Sequence, residues 1–258
     1  MNKPLVIGNW KMNLDYVEAI HLVQQLGVML KNKPIEHADV VVVPPFVDLR
    51  SVTSVVESDK IPVGVGAQHV SVHEAGAHTG EISASMLQRL NVHWVLVGHS
   101  ERRAMYAMTD EVVAQTVRTV VRQGLQAVLC VGEELSVREV GEQNAFVQAQ
   151  LESALAGLED KYRAQITIAY EPVWAIGTGL TASTEQVRDM TEFIRTVAAS
   201  LSLPDVRVLY GGSVNAENAA TLMAEGRVDG FLVGGASLKA ESFLTIAHAS
   251  DDCYDGKR

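Results

Sequence analysis

Cysteine is scarce: there are two in 258 residues, Cys130 and Cys253. One lies within an apolar run and the other in the polar tail, which excludes a disulfide framework. Cations are outnumbered, with 21 Lys and Arg against 31 Asp and Glu and a formal charge of −10. That balance argues against nucleic acid or an anionic membrane as a partner. It leaves room for a small anionic substrate, because a few local donors outweigh the global charge. No apolar run reaches membrane length, and Met1-Asn2-Lys3-Pro4 leads straight into a strand without a secretory segment. The expected location is cytoplasmic. Also missing are a Pro/Gly/Ser linker and any low-complexity tract. The chain therefore reads as one domain over residues 1–258, with 251–258 a polar C-terminal extension.

What is present is a core-forming chain, 47% hydrophobic. Short apolar, β-branched runs recur at Leu5–Asn9, Asp39–Val43, Pro62–Ala67, Trp94–Gly98, Gln126–Val131, Gln165–Tyr170, Val206–Tyr210 and Gly230–Val233. Strands that are apolar on both faces belong to a parallel sheet covered by helices. The intervening segments carry helical stripes. One runs through Val112, Val113, Val117, Val120 and Val121; another through Phe146, Leu151, Ala154, Leu155 and Leu158. Ser183 or Thr184 can cap a third helix, with Glu185 in its first turn. Eight strands alternating with helices give an α/β fold, and eight is the number that closes a single-domain (β/α)8 TIM barrel. The open doubly wound sheet is the competitor. It is weakened by Gly8-Asn9-Trp10-Lys11 after the first strand, where a dinucleotide-binding G-x-G-x-x-G would stand.

Working groups of such a barrel sit at the C-terminal ends of its strands. Those ends carry Asn9 and Lys11, Gln68, His99-Ser100-Glu101, Cys130, Glu171, Gly211-Gly212-Ser213 and Gly234-Gly235. Glu171 follows Ile166–Tyr170 and is stopped by Pro172, so a carboxylate stands at a strand tip. The next segment, Val173 to Gly179, mixes Trp174 and Ile176 with two glycines. It reads as an apolar lid in which the Gly177 N–H can approach a ligand. Paired glycines at the last two strand ends suit phosphate, which backbone N–H groups and a helix N-terminus bind well. Cys130, Trp10 and Trp94 read as packing residues. His69, His73 and His78, with Glu74 and Glu81, have spacings a metal could use but no closed four-ligand pattern, so no metal site is assigned.

Six segments together are recognisable: Gly8–Asn13, Gly76–Ser83, Val97–Arg103, Ala169–Gly179, Tyr210–Val214 and Leu232–Leu238. In these the chain resembles the triosephosphate isomerases, from the first strand to the last helix. The resemblance implies proton transfer between dihydroxyacetone phosphate and glyceraldehyde 3-phosphate through an enediolate, without a cofactor. Glu171 would be the base, strengthened by exclusion of water beneath the lid. His99, opening a helix, would be a neutral hydrogen-bond donor to the carbonyl, as is long established for this family. Asn9 and Lys11 would face the reacting oxygens, with Gly177, Ser213, Gly234 and Gly235 on the phosphate. Ser100 and Glu101 would support the base and Lys11.

The loop from Gln68 to Glu81 is longer than a connection needs. By resemblance it reaches into a second subunit with Thr79 near the neighbouring site, giving a homodimer. Five positions depart from the family pattern. Leu180 replaces a lysine at the rear hinge of the lid, His69 an asparagine, His78 an aromatic at the loop tip, and Ala107-Met108 a glycine-glutamate pair. Two other readings compete: a Schiff-base aldolase using Lys11 as nucleophile on a phosphorylated ketone, and a non-catalytic phospho-metabolite binding barrel.

Overall fold

The computed structural model describes residues 2–177 and 181–255, so Met1, Leu180, the last two residues of the lid and the final three of the tail lie outside it. Its eight strands are β1 (Leu5–Asn9), β2 (Asp39–Val43), β3 (Gly64–Ala67), β4 (Trp94–Val97), β5 (Gln126–Val131), β6 (Ile166–Tyr170), β7 (Arg207–Tyr210) and β8 (Gly230–Val233). They pair in parallel, in sequence order, and close where β8 meets β1. The closing register sets Leu5 against Gly230, while on its other edge Leu5 faces Asp39. This is a (β/α)8 barrel.

Alternation along each strand divides the core in two. Leu5, Ile7, Val41, Val43, Leu96, Val128, Cys130, Ala169, Leu209 and Leu232 fill the barrel interior. Their neighbours, such as Val6, Val40, Val42 and Ile168, face the surrounding helices. Parallel strands buried this way are apolar throughout, which is why they read clearly from sequence. Three strand starts move inward from the expected bounds, that of β7 by one residue to Arg207. Pro62 lacks the N–H that the ladder needs, and β3 begins at Gly64. Gln165 belongs to a 3₁₀ turn, Asp160–Gln165, which precedes β6.

The outer layer comprises α1 (Tyr16–Asn32), α2 (Phe46–Ser58), α3 (Ala84–Arg89), α4 (Ser100–Tyr106), α5 (Asp110–Arg122), α6 (Leu135–Glu139), α7 (Gln143–Leu155), α8 (Thr184–Ser200), α9 (Ala219–Glu225) and α10 (Ala240–Asp255). Ser183 caps α8, its hydroxyl accepting from the Gln186 N–H while Gln186 reaches back to Ser183. Of the stripe expected on and just after α7, Leu151, Ala154, Leu155 and Leu158 are buried. Phe146 is instead 39% exposed, and Val147 and Gln150 are buried in its place.

The reading of 251–258 as a polar extension also needs correction. Residues 251–255 continue α10, and Asp251 is buried. Its carboxylate accepts the N–H groups of Glu36, His37 and Ala38, at 3.1, 2.6 and 2.7 Å. It thus ties the last helix to the turn before β2. No helix among the described residues is long and apolar enough to cross a membrane.

Candidate active site

At the C-terminal mouth of the barrel lies a cavity of about 280 Å³. Its walls include Asn9, Lys11, His99, Glu171, Gly177 and Ser213, together with Gly211-Gly212 and Gly234-Gly235. Five separate strand ends thus contribute to one small volume. Asn9, His99 and Glu171 are only 5%, 6% and 2% exposed, so their polar groups are held by the fold and not by solvent.

Glu171 stands where β6 ends. One oxygen, Oε2, accepts the Ser100 N–H at 2.9 Å, and Oε1 lies 3.0 Å from His99 Nε2. His99 caps α4 with its other nitrogen: Nδ1 accepts the Glu101 N–H at 3.3 Å. A nitrogen that accepts carries no proton, so the neutral ring bears its hydrogen on Nε2, the side facing the cavity. The acid and the imidazole share one wall and can flank one small molecule.

Lys11 has a left-handed backbone, φ 53°. Asn9 Oδ1 accepts its N–H at 3.0 Å, and Gln68 Nε2 donates to its carbonyl at 2.7 Å. Its ammonium meets Glu101 Oε1 at 2.5 Å. Glu101 is therefore in contact with both Lys11 and the His99 ring. The glycines near Glu171 are set by close approach. A Cβ on Gly132 would fall 1.7 Å from the Glu171 carbonyl oxygen, and one on Gly211 would fall 3.0 Å from Glu171 Cγ.

The described part of the lid is anchored at its stem. Glu133, fully buried, accepts at Oε1 from Tyr170 Oη, Trp174 Nε1 and Arg138 Nη1, at 3.0, 2.8 and 2.9 Å. Its carbonyl accepts the Val173 N–H at 3.1 Å. On the other side Ser213 Oγ donates to the Ala175 carbonyl at 3.2 Å. Burial, and then the negative charge of Glu133, push the Tyr170 phenol well above its ordinary range. Burial likewise raises Tyr210 to about 12, and its hydroxyl is buried without a partner among the described residues. Thr178 and Gly179 of the lid, and the departure at Leu180, lie outside the described residues.

Several of these residues escaped the sequence reading. Glu133 stands two places beyond the end of β5, past Cys130, the residue singled out at that strand end. Gln150 is buried on α7 and accepts the Gly132 N–H at 2.8 Å, fixing the turn beneath Glu171. It had no local signal. Cys130 packs inside the barrel, and burial, followed by the nearby Glu171, raises its thiol. His73 and His78 do not converge with His69; their rings stack face to face, 3.7 Å apart.

Comparison with known proteins agrees with this geometry. Residues 4–250 match the family model described as "Triosephosphate isomerase". The proteins of that name from Nocardia farcinica and Rhodococcus jostii are 51% and 48% identical over 249 residues, spanning 95% of each chain. That from Corynebacterium glutamicum is 49% identical, over 95% of this chain and 96% of its own. With a barrel closed in family order and identity at this level over nearly its whole length, the chain belongs to the triosephosphate isomerase family.

Proposed function

We propose that the chain interconverts dihydroxyacetone phosphate and D-glyceraldehyde 3-phosphate by proton transfer through an enediolate, with Glu171 as the base and His99 as the electrophile. One observation carries the assignment of roles: a carboxylate and a neutral imidazole 3.0 Å apart on the wall of a single small cavity. Isomerisation moves one proton between adjacent carbons and one between their oxygens. A carboxylate beside the carbons does the first; an N–H donor that can also accept does the second.

In the structure the Ser100 N–H and His99 hold the Glu171 carboxylate. A substrate carbonyl replaces Glu171 as the acceptor from His99 Nε2, which frees the carboxylate to turn toward the substrate carbon. As the C–H bond breaks, its electron pair enters the enediolate and negative charge grows on the oxygen. His99, Asn9 and the Lys11 ammonium face that charge from fixed positions and need little reorganisation to stabilise it. Gly177, Ser213, Gly234 and Gly235 take the phosphate with backbone N–H groups and a hydroxyl, supplying binding energy away from the reacting carbons. Lys11 adds charge to both ends. The Lys11 side chain is committed to an ion pair with Glu101, which disfavours its use as a Schiff-base nucleophile.

The same reading makes the protein a cytoplasmic homodimer. The stretch from His73 to Glu81 is exposed throughout. Among the exposed apolar side chains, Met12, Tyr16, Val47, Met86, Met105 and Tyr106 lie in the segments after the first four strands, at 95%, 61%, 82%, 54%, 71% and 65%. Apolar surface in these segments, beside an exposed loop, is what a second copy would cover.

The test is a coupled assay of both substrates with Glu171→Gln alongside. The parent chain should turn over, and the variant should lose about 10²–10⁴-fold in kcat with the fold intact. A fully active variant removes Glu171 from the role of base. Borohydride inactivation that depends on substrate would favour the aldolase chemistry instead, and an inert parent chain the binding barrel.

A further inference from the structure

A second cavity, of about 270 Å³, lies behind the catalytic carboxylate. Ser100, Arg103, Cys130, Gln150 and Glu171 form its inner wall, with Met108 and Phe146 further out. Glu171 thus borders two chambers, the substrate cavity in front and this one behind. We propose that the rear chamber is the route by which a proton taken from substrate exchanges with solvent while the front is covered. This rests on Glu171 being the base.

Three features support it. First, the wall is suited to water. The volume far exceeds the roughly 10–15 Å³ that one water needs. Arg103 donates Nε to the Gly98 carbonyl and pairs Nη1 with Asp110, but its Nη2 is buried with no partner among the described residues. A buried donor of that kind takes a solvent acceptor. Second, the chamber reaches the carboxylate. Ser100, whose N–H holds Glu171 Oε2, also lines the chamber and carries a hydroxyl able to accept one proton and release another. Cys130, whose thiol also contacts the carboxylate, lines the chamber too but is a poor relay, since burial keeps its proton in place. Third, the outer end is open. Ala104, Thr109, Asp110 and Glu134 at the rim are exposed.

The step balances simply. The C2–H bond of glyceraldehyde 3-phosphate breaks, its electron pair becomes the enediolate double bond, and the proton rests on Glu171. That proton is then delivered to C1, or it passes to water while water returns another to the carboxylate. In D2O the first path gives unlabelled dihydroxyacetone phosphate and the second gives product with one deuterium on carbon.

The experiment compares the parent chain with Ala104→Leu, which narrows the chamber at its exposed rim, and Phe146→Ala, which widens it. Neither residue lines the substrate cavity, so kcat/KM should stay within about threefold. Proton NMR at early times reads the unlabelled fraction of product. That fraction should rise in Ala104→Leu and fall in Phe146→Ala. An equal fraction in all three proteins overturns the route. Glu171→Gln, assayed in parallel, separates the two claims. If it is inactive while the fractions stay fixed, only the rear route fails; if it is fully active, the assignment of the base fails.

Discussion

Lys11 holds a left-handed backbone conformation that costs a non-glycine residue about 1–2 kcal/mol. Asn9 and Gln68 offset that cost by taking its N–H and its carbonyl. The strain aims one charge into the cavity, which is how such conformations persist at working sites. His69, next to Gln68, has a different consequence. Burial, and then the Arg102 charge, lower its imidazole to about 4, from an ordinary value of 6.5. Between those values the unfolded chain binds a proton that the native chain does not. Stability therefore rises with pH across this window; the His69 contribution is complete above 6.5 and is lost as pH falls toward about 4. Urea midpoints measured from pH 7 to pH 4 should fall less steeply in His69→Asn than in the parent. Parallel curves would show that His69 takes no part in acid sensitivity.

At the scale of elements, the lid and its stem have separable jobs. An enediolate carrying a neighbouring phosphate can expel it, and a covered site holds the phosphate in the plane that disfavours elimination. Deleting the lid should raise inorganic phosphate released per turnover as well as slow the reaction. An unchanged product ratio counts against that role. The stem depends on Glu133, which gathers three donors on one buried oxygen. In Glu133→Gln the amide carbonyl can still accept, but Arg138 loses its counterion. The expected cost is about 2 kcal/mol, read as a lower urea midpoint. A midpoint equal to the parent's would mean that the charge contributes nothing.

Sequence made the strands legible because each is buried on both faces, and several end at a polar group or paired glycines. Glu171, His99, Lys11 and the paired glycines were picked out that way, and the structure brings them to one cavity. Other features depend on long-range contacts that leave no local pattern. Gln150 looks like a surface residue of α7 until the Gly132 N–H arrives from another element. Asp251 looks like tail until it is set against backbone more than 200 positions away. The rear chamber is a space, not a motif. It appears only when α4, α5 and α7 are packed against the barrel.

For the molecule as a whole, the remaining question is what covers the apolar flank after the first four strands. Val47 offers a clean probe. It is 82% exposed at the second position of α2, so the isolated subunit gains nothing from its side chain. An aspartate there sits in the first turn of the helix, where a negative charge is favoured by a few tenths of a kcal/mol. Val47→Asp should therefore fold as well as the parent, with an unchanged circular dichroism spectrum. In a dimer, however, the same carboxylate would be driven into a desolvated contact, and an unpaired buried charge costs several kcal/mol. Sedimentation of the parent at micromolar concentration should give twice the subunit mass, and the variant should give one. If both run as monomers with full activity, the flank is not a subunit interface. If both run as dimers, the second copy binds elsewhere, and the exposed stretch from His73 to Glu81 does not dock on this face.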